Sequence, residues 1–204
     1  MWVTQDLVIK NFFSKKIIHG KEFLNLIDGP VIIAPTHRSR WDGLVLTYAI
    51  GRRVTSKDCR FMVTTPEMKG LQGWFLKRLG CFSINQESPS MHSLRYAVKI
   101  ILSQNQLVIF PEGKINKFSK KIKLKQGLFR LAKLARKKRK KIKILPIGIA
   151  YRNINPKFRD GFALCIEKPL DLDDFLKSSN EEFNNSLSKI INKAELKALC
   201  LIGR

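Results

Sequence analysis

A chain of 204 residues, 44% of them apolar, is long enough to bury a core and suits one α/β domain, which excludes wholesale disorder. Its 39 Lys and Arg against 16 Asp and Glu leave a formal net charge of +23, and that excess predicts an anionic partner. Nucleic acid, an anionic membrane surface and an acidic carrier protein all meet that description; no nucleic-acid-binding motif accompanies the charge, so no specific nucleic acid is expected.

Residues 1–20, MWVTQDLVIKNFFSKKIIHG, lack the pattern of a secretory leader because Asp6 and Lys10 interrupt the apolar run. On a helical circle their apolar positions spread too widely for one clean face. Two readings stand: a membrane-interface segment mixing Trp, Phe and Lys, or ordinary packing onto the core. Further on, 31–35 reads as a strand, 42–50 as a helix, and 59–64 and 82–84 as strands. A helix over 94–102 leads to a strand over 106–110. The helix over 127–135 places Leu128, Leu131, Leu134 and Ala135 on one side, and strands over 142–149 and 162–166 follow. A C-terminal helix over 180–201, periodic through 199, turns Phe183, Leu187, Ile190, Ile191 and Ala194 to one face.

Several of these strands are continuously apolar, as expected when both faces are buried. Strands alternating with helices predict βαβ units, hence a single α/β domain with a largely parallel sheet flanked by helices. Ligands in such sheets bind outside the carboxyl ends of strands. Cys59, Cys81, Cys165 and Cys200 form no C-x-x-C pair and have apolar neighbours, which predicts buried free thiols in a reducing compartment rather than zinc ligands or disulfides. No stretch reaches the roughly 18–20 uninterrupted apolar residues of a membrane span, so any membrane attachment is expected to be peripheral.

Two polar clusters fall at strand ends. The first, THRSRWDG at 36–43, holds His37 and Asp42. A neutral imidazole suits proton abstraction from an alcohol near neutral pH, and a carboxylate on its other nitrogen fixes the tautomer. The pairing needs His37 in the loop and Asp42 at the helix start. On spacing alone, a turn residue and a helix-start acid explain the two residues better than a catalytic pair. Trp41 either braces this loop or packs under an apolar ligand. The second cluster, FPEG at 110–113, precedes Lys114, Lys117, Lys120, Lys121, Lys123 and Lys125. Pro111 and Gly113 suit a loop that approaches a ligand closely, and Glu112 can accept from a polyol hydroxyl; a solvated basic turn is the bland alternative. The run 136–141 (RKKRKK) reads as a solvated helix end complementing the helix dipole, or as a contact for anionic lipid or an acidic carrier protein.

HRSRWD resembles the H-x4-D motif of the glycerolipid acyltransferases, and FPEG resembles the start of their FPEG-T-R-S block. GCFSINQ at 80–86 and ILPIG at 144–148 resemble two further blocks in the family's order. The closest resemblance is to the bacterial 1-acyl-sn-glycerol-3-phosphate acyltransferases. It implies a glycerol-3-phosphate acyltransferase-like fold and acyl transfer from acyl carrier protein or acyl-CoA to the free hydroxyl of a lysophospholipid, with no metal or cofactor. The resemblance makes His37 the general base and Asp42 its orienter, and gives Glu112 and Gly113 the glycerol phosphate. It implies a place on the cytoplasmic side of a membrane. Gln86 and Ile115 stand where the family carries phosphate-binding arginines. Charge must then come from Arg38, Arg40, Lys114 or Lys117, or the acceptor is another lysolipid.

Overall fold

The computed structural model describes residues 2–85, 87–103, 105–117, 122–138 and 141–204, with side chains from residue 6 onward. Gln86, Lys120, Lys121, Arg139 and Lys140, and the side chains of Trp2 and Val3, lie outside the described residues. Helix α1 (Trp2–Phe12) runs straight into strand β1 (Phe13–His19). Then come β2 (Val31–Pro35), α2 (Asp42–Ile50), the short α3 (Arg52–Thr55), β3 (Cys59–Thr64), α4 (Gly70–Arg78) and β4 (Cys81–Ile84). The chain continues through α5 (Met91–Leu102), β5 (Gln106–Val108), α6 (Gly127–Arg136), β6 (Lys143–Tyr151), β7 (Asp160–Ile166), β8 (Leu170–Asp171) and α7 (Asn180–Ile202).

Among the described residues, eight strands form one sheet in the order β1-β7-β6-β2-β5-β3-β4, with β8 paired to β6. The pairs β1/β7, β6/β2, β2/β5, β5/β3 and β3/β4 are parallel, while β6/β7 and β6/β8 are antiparallel. The continuously apolar strands bury both faces, as expected. Ile32 and Ala34 point into one core with α5, α6 and α7, and Val31 and Ile33 into another with α1 and α2. The sheet is therefore covered on both sides, which a parallel arrangement requires.

Three expectations need correction. Residues 13–19, for which no strand was expected, form an edge strand in register with β7 from Phe13↔Asp160 to His19↔Cys165. Ile9 and Phe13 are buried in the core, so much of 1–20 is part of the fold. Leu134 is exposed; Phe129 and Ala132 take the inner face of α6 beside Leu128, Leu131 and Ala135. All four cysteines are free, but only Cys59 and Cys165 are buried, and Cys200 is exposed. Burial pushes the Cys59 and Cys81 thiols up to about 12, with Asp58 adding to the effect at Cys59. Among the described residues, no helix is long and apolar enough to cross a membrane.

Two glycines fix contacts that larger residues would break. A Cβ on Gly148 would lie 2.2 Å from the Ala194 carbonyl carbon, so α7 packs directly on the β6 backbone. Gly113 adopts φ 72°, a left-handed conformation that side chains disfavour, at the turn out of FPEG.

Candidate active site

Parallel pairing of β2 with β5, Ile33 opposite Val108, sets the carboxyl ends of the two strands side by side. The chains leaving those ends carry HRSRWD and FPEG. The His37 ring stacks on Phe110 at 3.9 Å and 19°, and Asn116 N–H donates to the His37 carbonyl at 2.8 Å. Glu112 Oε1 accepts from the His37 N–H at 2.9 Å. The two loops therefore form one unit.

Asp42 is the first residue of α2 and fully buried. Its Oδ2 lies 2.8 Å from His37 Nδ1 and accepts from the N–H groups of Arg38 at 2.6 Å and Ser39 at 2.9 Å. Its Oδ1 accepts from the Tyr151 hydroxyl at 2.6 Å. An acid collecting several donors is a carboxylate, so the proton between Asp42 and His37 belongs on Nδ1 and leaves Nε2 with a lone pair. Burial, reinforced by the Asp42 charge, holds the Tyr151 hydroxyl well above its ordinary value of 10.0, which keeps it protonated and donating. The spacing that sequence alone explained better as a turn and a helix start is thus also a hydrogen-bonded pair. Trp41 braces the loop, stacking on Phe12 at 4.1 Å and meeting Phe13 edge-on.

Arg38 and Glu112 depart from expectation. Arg38 is buried, and its Nη1 donates to both Glu112 oxygens, at 2.8 and 2.9 Å. Nη2 donates to Glu195 Oε2 on α7 at 2.7 Å, and Nε donates to Glu195 Oε1. Burial opposes the Arg38 charge, but hydrogen bonding and attraction from Glu195, then Glu112, outweigh it and hold the guanidinium above the usual arginine value. Arg38 is thus engaged by two carboxylates and lines the cavity between β6 and α7 rather than the one beside His37. Glu112 accepts from Arg38 and from the His37 backbone and does not line the His37 cavity. Both residues brace the loop.

Beside His37 opens a cavity of about 590 Å³. Leu44, Phe61, Val63, Leu76 and Leu79 form apolar walls, while Arg40, Lys114, Glu67 and Gln72 supply polar groups; Gly113 and Ile115 also line it. Arg40 is exposed, with Nη1 3.4 Å from Gln72 Oε1. Lys117 lines a different cavity, between β6 and α7, and donates to Asn155 Oδ1 at 2.7 Å. The structure thus brings His37, Asp42, Arg40, Gly113 and Lys114 to one place and leaves Lys117 outside it. In the basic run, Arg136 pairs with Asp173 at 2.5 Å while Lys137, Lys138 and Lys141 are exposed.

Sequence reasoning missed Tyr151 and Glu195. A tyrosine closing an otherwise aliphatic strand was the one available signal for Tyr151. Glu195 lies among the polar residues of α7 and carried none.

The family model described as Acyltransferase matches residues 15–150. A 1-acyl-sn-glycerol-3-phosphate acyltransferase from Streptococcus pneumoniae (strain ATCC BAA-255 / R6) is 24% identical over 166 residues, covering 78% of this chain. The match spans 57% of that relative's length. The crystal structure of the 1-acyl-sn-glycerophosphate (LPA) acyltransferase PlsC from Thermotoga maritima superposes with a TM-score of 0.70 at 20% identity, covering 97% of this chain and 80% of that one.

Proposed function

The chain belongs to the acyltransferase family, and from that premise we propose that it moves a fatty acyl chain from a thioester donor to the free hydroxyl of a lysophospholipid of the 1-acyl-glycerol-3-phosphate type. The observation that carries this reading is His37 held by Asp42 at the edge of an apolar cavity. Nε2 takes the proton from the acceptor hydroxyl, whose oxygen attacks the thioester carbonyl carbon. The new C–O bond forms, the C–S bond breaks, and the leaving thiolate recovers the proton from Nε2–H. Asp42 stabilises the imidazolium between those steps. The apolar walls suit an acyl chain, and Arg40 and Lys114 are the cations placed to meet a head-group phosphate. The donor is acyl carrier protein or coenzyme A thioester, both anionic and matched to the charge of +23. A peripheral place on an anionic membrane surface fits the same charge.

The test is product formation by mass spectrometry with acyl-CoA and acyl carrier protein donors and lysophosphatidate as acceptor. His37→Ala should lower kcat/KM by about 10²–10⁴. Full activity in that variant would sink the mechanism.

A second acceptor is favoured by one observation. Ile115 lines the cavity where the family's arginine is expected, and Glu67, joined to Arg40 only through Gln72, adds a negative charge to the same lining. That arrangement suits a lysolipid other than a phosphate monoester. A panel of phosphate-bearing and phosphate-free lysolipids with one donor decides between them, through which acceptor gives the higher kcat/KM.

A further inference from the structure

We infer that the outer face of α4 docks on an anionic lipid bilayer and sets the mouth of the His37 cavity against it. The inference deepens the acyl-transfer reading and rests on it only for the purpose of the docking. An ordinary surface helix buries its apolar stripe and exposes its polar one. In α4 (GLQGWFLKR) the buried position is Gly73, whose Cβ would lie 1.9 Å from the Met68 carbonyl oxygen. Leu71, Trp74 and Phe75 are 89%, 56% and 47% exposed. Spaced three and four apart, they and Arg78 fall within an arc of about 100° on the helix. A one-sided cluster of large apolar residues on a surface marks a contact site.

Its chemistry points to lipid. The helix carries Lys77 and Arg78, follows Lys69 and contains no acidic residue. Glu67 lies just before it, its carboxylate accepting from Gln72 on the cavity side. The Arg78 guanidinium sits 3.8 Å from the centre of the Trp74 ring. Tryptophan and leucine flanked by basic side chains form the composition that lies in a bilayer interface, where anionic head groups meet the cations.

The face adjoins the chemistry. Gln72, Leu76 and Leu79 line the His37 cavity, and Phe75 belongs to both surfaces, lining the cavity while almost half exposed. One helix therefore separates the bilayer from the cavity, and an acyl chain leaving the lipid travels on the order of a helix diameter, about 10 Å.

The full chain is sedimented with vesicles of phosphatidylcholine alone and with vesicles containing about one-third phosphatidylglycerol, at low and high salt. Binding is expected to the anionic vesicles and to weaken with salt. Leu71→Ser/Trp74→Ser should weaken it roughly tenfold or more, and Lys77→Gln/Arg78→Gln about 25-fold. Quenching of tryptophan emission by brominated lipid should fall in Trp74→Phe. The inference is overturned if the wild type binds neither vesicle, or if Leu71→Ser/Trp74→Ser binds undiminished. It is also overturned if these variants alter only self-association or capture of an acyl carrier protein. Transfer to a short-chain, water-soluble acceptor without lipid, assayed alongside, should be equal in wild type and Leu71→Ser/Trp74→Ser. Loss of that reaction in the wild type with α4-dependent vesicle binding intact would remove the acyl-transfer reading and leave the docking face standing.

Discussion

The loop over 36–42 and helix α4 border the same cavity, yet they are built in opposite ways. In the loop, Arg38, Ser39 and Asp42 are buried, and the Asp42 carboxylate collects four donors from His37, Arg38, Ser39 and Tyr151. In α4, Leu71, Trp74 and Phe75 face outward, and Gly73 is the buried position. Proton transfer needs donor and acceptor held within a few tenths of an ångström, which favours a loop fixed by many hydrogen bonds. Handling an amphiphile needs apolar surface accessible from outside. On the proposed reading, the loop side of the cavity and the α4 side thus answer to different demands.

Substitutions separate the two. The largest effect is expected from Arg38→Ala, which strands the Glu112 and Glu195 carboxylates, 3% and 12% exposed, without their shared cation. Removing one member of a buried ion pair costs about 3–5 kcal/mol, and urea unfolding should show it as a lower midpoint with little change in slope. Tyr151→Phe should cost about 1–2 kcal/mol by leaving Asp42 Oδ1 short of a donor. It also changes the pH dependence of stability. The folded-state pKa of Tyr151 is raised above 10.0, so the contribution of this group is fully present below that pH and is lost as pH rises toward the folded value. There the unfolded chain has released a proton that the folded chain keeps, and stability falls by about 1.4 kcal/mol per pH unit. Unfolding of Tyr151→Phe between pH 9 and 11 should lack that one-proton slope; an unchanged slope would show that Tyr151 does not titrate as its contacts demand. The smallest effect is Arg40→Ala, within about 0.5 kcal/mol on stability because the side chain is exposed, while raising KM for a phosphate-bearing acceptor.

The same contrast governs what the sequence made legible. His37 and Asp42 are five positions apart, and their pairing depends on a local turn between β2 and α2, so the motif displayed it. The inner strands announced themselves by runs such as VIIAP, whose burial on both faces leaves no other residue type suitable. Strand β1 did not, because FSKKIIH places Ser14 and Lys15 in solvent on a sheet edge, where charge guards against stray pairing and also masks strand periodicity. Arg38 looked like a free cation because its partners lie 74 and 157 positions away. Tyr151 lies 109 positions from Asp42. Contacts of that range are set by the sheet order, in which β6 runs beside β2 and past its end, and no local pattern encodes them.

The Arg38–Glu195 contact has a consequence in time as well as in space. At synthesis rates of about 5–20 residues per second, His37 and Asp42 emerge on the order of ten seconds or more before the glutamate that completes their clamp. Closing so long a loop is among the late and slow events of folding. A chain interrupted before α7 carries both motifs but lacks the carboxylate that engages Nε and Nη2 of Arg38. The bracing of Arg38 is thereby completed only once the last helix has been made and docked.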